Sequence, residues 1–416
     1  MATVYQISSS DSGSAAAQKI NESVSNLNAA IGSGGGGSTP SGIIALNESA
    51  KQRISAAKQH FDERTNTSGY STNTQANCFI IAHGSDFHND AARYGRFRDF
   101  IDGVTSIDAA IVTGDLTDKG KDAEFAAMSA ISFTRITPMQ VIGNHERQDG
   151  KTIAAIGEAL GQPKVSNAYK GYFYKDFSTP KIRVIVLNEY DTSTTTASTA
   201  QKDGHWSQDQ IDWFISALDG AISSGYSVMV AMHCMEQGSA SIAMPTDNDK
   251  GFYQRNNQWK NLLTTVMPHY LIEDIIAAFR SGGTISGTYA HSDGTTSISV
   301  SHSFSSAGKF VAYIVGHSHI DMTGYSQEHP DQLYLVCPNS CVWGGASGTS
   351  SSHRFFGGEV SDLPRIEGMK CEDCFNIYGI DTVNEVVKII RVGADMNDLM
   401  EPREVACFEY EPTVGS

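Results

Sequence analysis

Five apolar runs, each halting at residues that bind metals or move protons, constrain this chain more than anything else in it. Pro138–Ile142 halts at Gly143-Asn144-His145-Glu146, an amide, an imidazole and a carboxylate in succession. Cys78–Ala82 runs into His83-Gly84-Ser85-Asp86-Phe87-His88, and Ala109–Thr113 into Gly114-Asp115-Leu116-Thr117-Asp118. Val228–Met232 runs into His233, and Phe310–Val315 into Gly316-His317-Ser318-His319. Polar groups at the end of a buried strand cost free energy unless they meet partners or serve a site. A single case reads as a strand closing in a polar turn. The repetition points to a shared site.

Helical stretches at Asn89–Ile101, near 122–134 and at Ile153–Leu160 separate the first strands. This β-α-β-α alternation predicts an α/β fold with a largely parallel core. Ligands then belong outside the carboxyl ends of the strands, so the polar stretches converge on one rim. Further strands are expected at Ile182–Leu187 and Leu333–Val336, and helices near 207–218 and 256–280. Phe375–Asp381 and Glu385–Val392 read as a closing hairpin or meander. A stretch at about 236–308, helical and then Gly/Ser/Thr-rich, reads as an insertion over the active face, a helix followed by a β-ribbon.

The convergent residues offer Asp86, His88, Asp115, Asn144, His233, His317 and His319 as ligands, with His145 to spare. One ion takes about four to six ligands, so this set suits two ions sharing a carboxylate. Mixed carboxylate, imidazole and amide donors fit Mn, Fe, Zn or similar ions better than Ca or Mg. The net charge of −16 disfavours a standing nucleic-acid partner. It does not exclude a phosphate substrate, because bound cations invert the local field.

In this order, Asp86-x-His88, Gly114-Asp115, Gly143-Asn144-His145-Glu146, a lone His233 after a strand and Gly316-His317-x-His319 resemble the calcineurin-like metallophosphoesterase superfamily. The resemblance spans roughly residues 78–320. It implies a four-layer α/β/β/α sandwich of two mixed sheets. It implies that Asp86, His88 and His319 hold one metal, that Asn144, His233 and His317 hold the second, and that Asp115 bridges them. His145 then stays off the metals and assists the leaving group. The implied activity is binuclear-metal-dependent hydrolysis of a phosphomonoester or phosphodiester by a metal-bridging hydroxide. Asp118, Glu146 and Asp321 are expected either to orient ligands from behind or to be surface charge. His83 reads as a hydrogen-bonded strand-end histidine or as a further rim residue. Met232 stands where the family pattern has a glycine before the lone histidine.

Residues 78–416 are thus expected to form the metallophosphoesterase domain, preceded by N-terminal helical segments. Residues 1–64 read as a helical oligomerisation or attachment segment, and 65–77 as a polar linker. Ala17, Ile20, Val24, Leu27 and Ile31 space an apolar seam of about two heptads. Gly-rich residues 32–38 then break the chain. So short a helix must pack on something: copies of itself, as a trimer or other oligomer, or the parent domain. The arrangement is similar to family domains mounted on phage or prophage tail and baseplate proteins. That similarity implies an alternative, a structural particle component with phage tail proteins as partners, whose domain binds or cleaves a cell-surface phosphodiester. No signal peptide or transmembrane run is evident, which predicts no membrane insertion and a cytoplasmic or, if phage-encoded, virion-associated chain. Seven cysteines argue against a disulfide framework. Cys337, Cys341, Cys371 and Cys374 stand as free thiols or as a four-thiolate zinc set.

Overall fold

A computed structural model describes residues 78–104, 107–191, 204–234, 270–291, 294, 296–317, 323–326, 328–337, 340, 373–383, 385–393 and 403–409. The N-terminal segment, the linker, and Cys341 and Cys371 lie outside the described residues.

The chain opens with β1 (Cys78–Gly84), α1 (Ala91–Gly103), β2 (Ala109–Val112), α2 (Asp122–Ser129), β3 (Met139–Gln140) and α3 (Ile153–Ala159). It continues through β4 (Phe173–Ser178), β5 (Lys181–Val186), α4 (Gln208–Ser224), β6 (Ser227–Ala231) and α5 (Leu271–Ser281). A ribbon, β7 (Thr284–Ala290) and β8 (Ser297–Ser303), leads to β9 (Lys309–Val315), β10 (Thr323–Tyr325) and β11 (Leu333–Val336). The described part closes with β12 (Cys374–Asp381), β13 (Val386–Gly393) and β14 (Arg403–Glu409).

Two six-stranded mixed sheets form, ordered β14-β13-β12-β1-β2-β3 and β10-β11-β9-β6-β5-β4. Strands β1, β2 and β3 run parallel in the first, and β5, β6, β9 and β11 in the second. The period of two along β1 explains the layering. Phe79 and Ile81 face a core shared with Val184, Val186, Met229, Ala231 and Ile314 of the second sheet. Ile80 and Ala82 face the other way, onto Phe97, Phe100 and Ile101 of α1. Ile185, Val228 and Val230 turn outward from the second sheet onto Phe214 and Leu218 of α4 and Ile275 and Phe279 of α5. The result is a four-layer α/β/β/α sandwich, as expected. Each such fully buried apolar side chain contributes about 1.5–3 kcal/mol.

Local chemistry sets the helix ends. Asp90 accepts from Arg93 N, so the first helix begins just inside the predicted Asn89. Ser207 caps α4 by accepting from Gln210 N, and Gly225 ends it at φ 70°.

Three differences from expectation stand out. The third strand keeps only two ladder residues, although Val141 N still donates to Val112 O at 2.9 Å. Edge strands β4, β10 and β14 were not predicted; in Phe173–Ser178 only Phe173 is buried, and there is no continuous apolar run. Of the expected insertion at about 236–308, the stretch 235–269 lies outside the described residues, and the described part is a helix and a ribbon packed into the outer layer. Leu271, Ile272 and Ile275 of α5 and Ile285, Ile298 and Val300 of the ribbon are buried there.

Candidate metal centre

The loops after β1 and β2 are zipped together by backbone hydrogen bonds. Asp86 N donates to Gly114 O at 3.1 Å, His88 N to Asp115 O at 2.9 Å and Asn89 N to Leu116 O at 2.8 Å. The zip holds four non-glycine residues at positive φ: Asp86 (54°), His88 (45°), Asn89 (62°) and Asp115 (50°). Such conformations cost about 1–3 kcal/mol each and persist where surroundings over-determine them. His317, on the facing sheet, shares the feature at φ 62°. Close approach adds a constraint. A Cβ on Gly114 would lie 2.5 Å from His233 Nδ1, and one on Gly143 would overlap the Asp115 side chain.

His233 lies where the two sheets meet. Its Nδ1 is 2.6 Å from Thr113 O, an acceptor only, so Nδ1 carries the proton. In a neutral ring Nε2 is then a bare lone pair. Yet it faces Asn144 Oδ1 at 2.9 Å, Asp115 Oδ2 at 3.3 Å and His317 Nδ1 at 3.1 Å. Four electron-rich atoms converge; Asp115, Asn144 and His233 are buried and His317 is half-buried. Burial alone would lower the imidazole pKa, but Asp115, Asp86 and Glu189 raise it to about 10. The pocket therefore demands a positive charge at this point, and a divalent cation with N and O ligands meets that demand. Burial would raise the Asp115 carboxyl, but His233 first, then His145 and His88, hold it well below the usual carboxylate range.

Among the described residues, three groups of potential ligand atoms each lie within 4.8 Å of one another: His88, Asp115 and His145; Asp86, Asp115 and His233; and His233, Cys234 and His317. Asp115 belongs to two of them. His317 N donates to Asp86 Oδ2 at 3.1 Å, tying the last loop to the first.

The model of the calcineurin-like phosphoesterase family matches residues 79–321. The chain belongs to this family. It is a metal-dependent phosphoesterase. No curated relative matches it. Similar solved structures include TT1561 of Thermus thermophilus, at 10% identity over 63% of this chain and 89% of that one, with a TM-score of 0.32. A conserved protein of Streptococcus pneumoniae, described as a predicted phosphoesterase, matches at 9% identity over 79% and 97%, with a TM-score of 0.27. A 5'-nucleotidase precursor from Thermus thermophilus matches at 11% identity over 79% and 54%, with a TM-score of 0.31.

In the phosphoesterase, Asp86, His88, Asp115, Asn144, His145, His233 and His317 all meet at the rim. His319 and Asp321 lie outside the described residues. His145 N donates to Asp115 Oδ1 at 2.8 Å, and its Nδ1 to the Asp118 carbonyl at 2.6 Å. That leaves Nε2 on the Asp115 side, 3.8 Å from Oδ2. The Asp118 carboxylate is 3.8 Å from His88 Nδ1 and 3.6 Å from His145 Nδ1. Glu146 is wholly buried. Its Oε2 accepts from Asp115 N (2.9 Å) and Gly143 N (2.8 Å), and its Oε1 from Thr117 N (2.8 Å) and Oγ1 (3.0 Å). Burial and Asp115 push its carboxyl up, while the Thr117 and Gly143 N–H groups pull it down. His83 bridges Thr113 Oγ1 (2.8 Å) and Tyr378 OH (2.9 Å), and burial lowers its pKa to about 3. It is a neutral hydrogen-bonding histidine, not a rim residue.

One stretch escaped the sequence reading. Beyond β5, Leu187 leads into Asn188-Glu189-Tyr190, all three fully buried. Glu189 accepts from His233 N at 2.8 Å and Cys234 N at 2.7 Å. Burial pushes its carboxyl up to about 7 against the pull of His233 and the two amides. The signal was the one used elsewhere, an apolar run stopping at a carboxylate.

Proposed function

We propose that the phosphoesterase works with two divalent ions, Mn, Fe, Zn or similar, at this rim. Asp86, His88 and His319 hold the first, Asn144, His233 and His317 the second, and Asp115 is common to both. The observation that supports this most is the position of Asp115 in two convergent ligand groups beside Nε2 of His233. When bound, such a pair supplies Lewis acidity, lowering the pKa of water toward neutrality and drawing charge off phosphoryl oxygens. The chain supplies the rest. Asp115 has two oxygens to share. Asn144 adds a neutral ligand, so the site keeps net positive charge for a phosphate ester. His145, its Nδ1 tied to Asp118, presents Nε2 to hand a proton to the leaving alkoxide.

The substrate class is a phosphomonoester or phosphodiester. Turnover of p-nitrophenyl phosphate and bis-p-nitrophenyl phosphate with added Mn²⁺, for wild type, Asp115→Asn and His145→Ala, tests the reading. Metal-dependent turnover well above both variants is expected; equal rates in all three would sink it.

Sequence features outside the described residues favour a mounting for this domain. We infer that the seam from Ala17 to Ile31 self-associates, and that the chain is carried on a particle such as a phage tail, within reach of a cell-surface phosphodiester. Light scattering on the full chain and on residues 78–416 tests the first step. Equal monomeric masses would remove it.

A further inference from the structure

Asn188, Glu189 and Tyr190 form a bracket on the second sheet that the motifs do not account for. The Glu189 carboxylate is fully buried, and among the described residues no lysine or arginine pairs with it. Both its oxygens go to backbone: Oε2 to His233 N and Oε1 to Cys234 N. Two hydrogen bonds to consecutive amides fix the orientation of that backbone, not merely its distance. With the carboxyl ionised these bonds are charge-assisted, about twice as strong as neutral ones.

The bracket is itself anchored. Gln210, buried on α4, grips the Asn188 backbone twice: Asn188 N donates to Oε1 at 2.7 Å, and Nε2 donates to Asn188 O at 2.8 Å. Asn188 Oδ1 accepts from Tyr190 N at 3.1 Å, and Tyr190 OH lies 3.6 Å from Cys234 Sγ. The path therefore runs from a helix in the outer layer, through Asn188 and Glu189, to the main chain of His233. The imidazole of His233 leaves that main chain with only Thr113 O to steer Nδ1 and the other ligands to meet Nε2.

We propose that Glu189 is a positioning residue: it touches neither metal nor substrate, but sets the backbone from which His233 reaches its ion. This rests on the reading of His233 as a ligand. Outer partners of metal ligands are worth about 10–100-fold in metal affinity. Glu189→Gln keeps the volume and one acceptor but turns an NH₂ toward a backbone N–H. It should weaken Mn²⁺ binding at one of the two sites about 10–100-fold, with saturating Mn²⁺ restoring kcat to near wild type.

The experiment is Mn²⁺ titration by calorimetry, with metal stoichiometry by mass spectrometry, on the full chain as wild type, His233→Ala, Glu189→Gln and Gln210→Met. Unfolding by circular dichroism accompanies each. The expected result is one ion lost in His233→Ala, one ion weakened in Glu189→Gln, and a smaller weakening in Gln210→Met, whose change lies one step further from the metal. Full stoichiometry in His233→Ala would overturn the ligand assignment itself. Loss of an ion there with wild-type affinity in Glu189→Gln would overturn the positioning role alone. Should Glu189→Gln not fold, Gln210→Met decides: unchanged Mn²⁺ affinity in it overturns the proposal. A rate defect in Glu189→Gln that saturating Mn²⁺ does not relieve would also overturn it.

Discussion

The two sheets bring their shares of the rim together by different means. On the first sheet the loops hold one another. Three backbone hydrogen bonds run from residues 86–89 to residues 114–116, four residues sit at positive φ, and Glu146 fastens Asp115, Thr117 and Gly143 from behind. On the second sheet His317 has positive φ, Gly316 N donates to His233 O at 2.9 Å, and the His233 loop hangs on Glu189. One side is over-determined by many local contacts. The other has fewer fastenings, and the Glu189 carboxylate, borrowed from the segment after a neighbouring strand, makes two of them. A strained backbone held by many redundant bonds tolerates the loss of one better than a loop held by few.

The largest expected effects separate the two residues at the centre of the first-sheet motif. His145→Ala should keep both metals and lose about 10²–10⁴-fold in kcat, the usual worth of a general acid. Asn144→Ala should instead lose metal, because its Oδ1 faces His233 Nε2. Steady-state rates paired with metal analysis test this. Equal loss of metal in both variants would remove the role given to His145, which also lies in a potential ligand group with His88 and Asp115.

The comparison itself is tested by Glu146→Gln against Glu189→Gln. Both replace a buried carboxylate that accepts only from backbone N–H and hydroxyl groups. Because the zip remains in the first, Glu146→Gln should weaken Mn²⁺ binding by less than about tenfold, below the 10–100-fold range of an undivided outer contact. Calorimetry that found Glu146→Gln the more damaging would mean that the zip adds little and that the first sheet also depends on its carboxylate.

This contrast also marks what was legible in the sequence. Strands buried on both faces, such as Phe310–Val315, read directly as apolar runs, and the order of their polar ends carried the family resemblance. The four-layer arrangement came with that resemblance and not from periodicity. Glu146 was visible because it adjoins Asn144 and His145. Glu189 was not: its partner is 44 residues away, and only the pairing of β5 with β6 brings it to His233. The β4 strand was hidden for the opposite reason. At the edge of the sheet only Phe173 of it is buried, and exposed Tyr174, Lys175 and Asp176 break the apolar run. Asp90 and Ser207 set helix starts to within two residues, whereas β3 keeps only Met139 and Gln140 in the ladder before the chain turns at Asn144 to Asp149.

The smallest expected effect concerns acid, and it acts on the first sheet. His83 joins Thr113 of β2's loop to Tyr378 of β12, and its folded pKa lies near 3 where an unfolded histidine titrates near 6.5. Between these values the unfolded chain binds a proton that the folded chain refuses. The stability His83 permits is therefore complete above pH 6.5 and is lost progressively as pH falls toward 3. From pH 6.5 to pH 5 the loss is about 2 kcal/mol, at about 1.4 kcal/mol per pH unit. Carboxylates elsewhere also respond to acid, so the informative quantity is a difference. His83→Gln keeps a side chain able to reach both hydroxyls and has no proton to gain. Urea unfolding at pH 6.5 and pH 5 should show the wild type losing about 2 kcal/mol more than the variant across that interval. Equal losses would place the His83 ring in a wetter or more polar setting than its full burial between β2 and β12 allows.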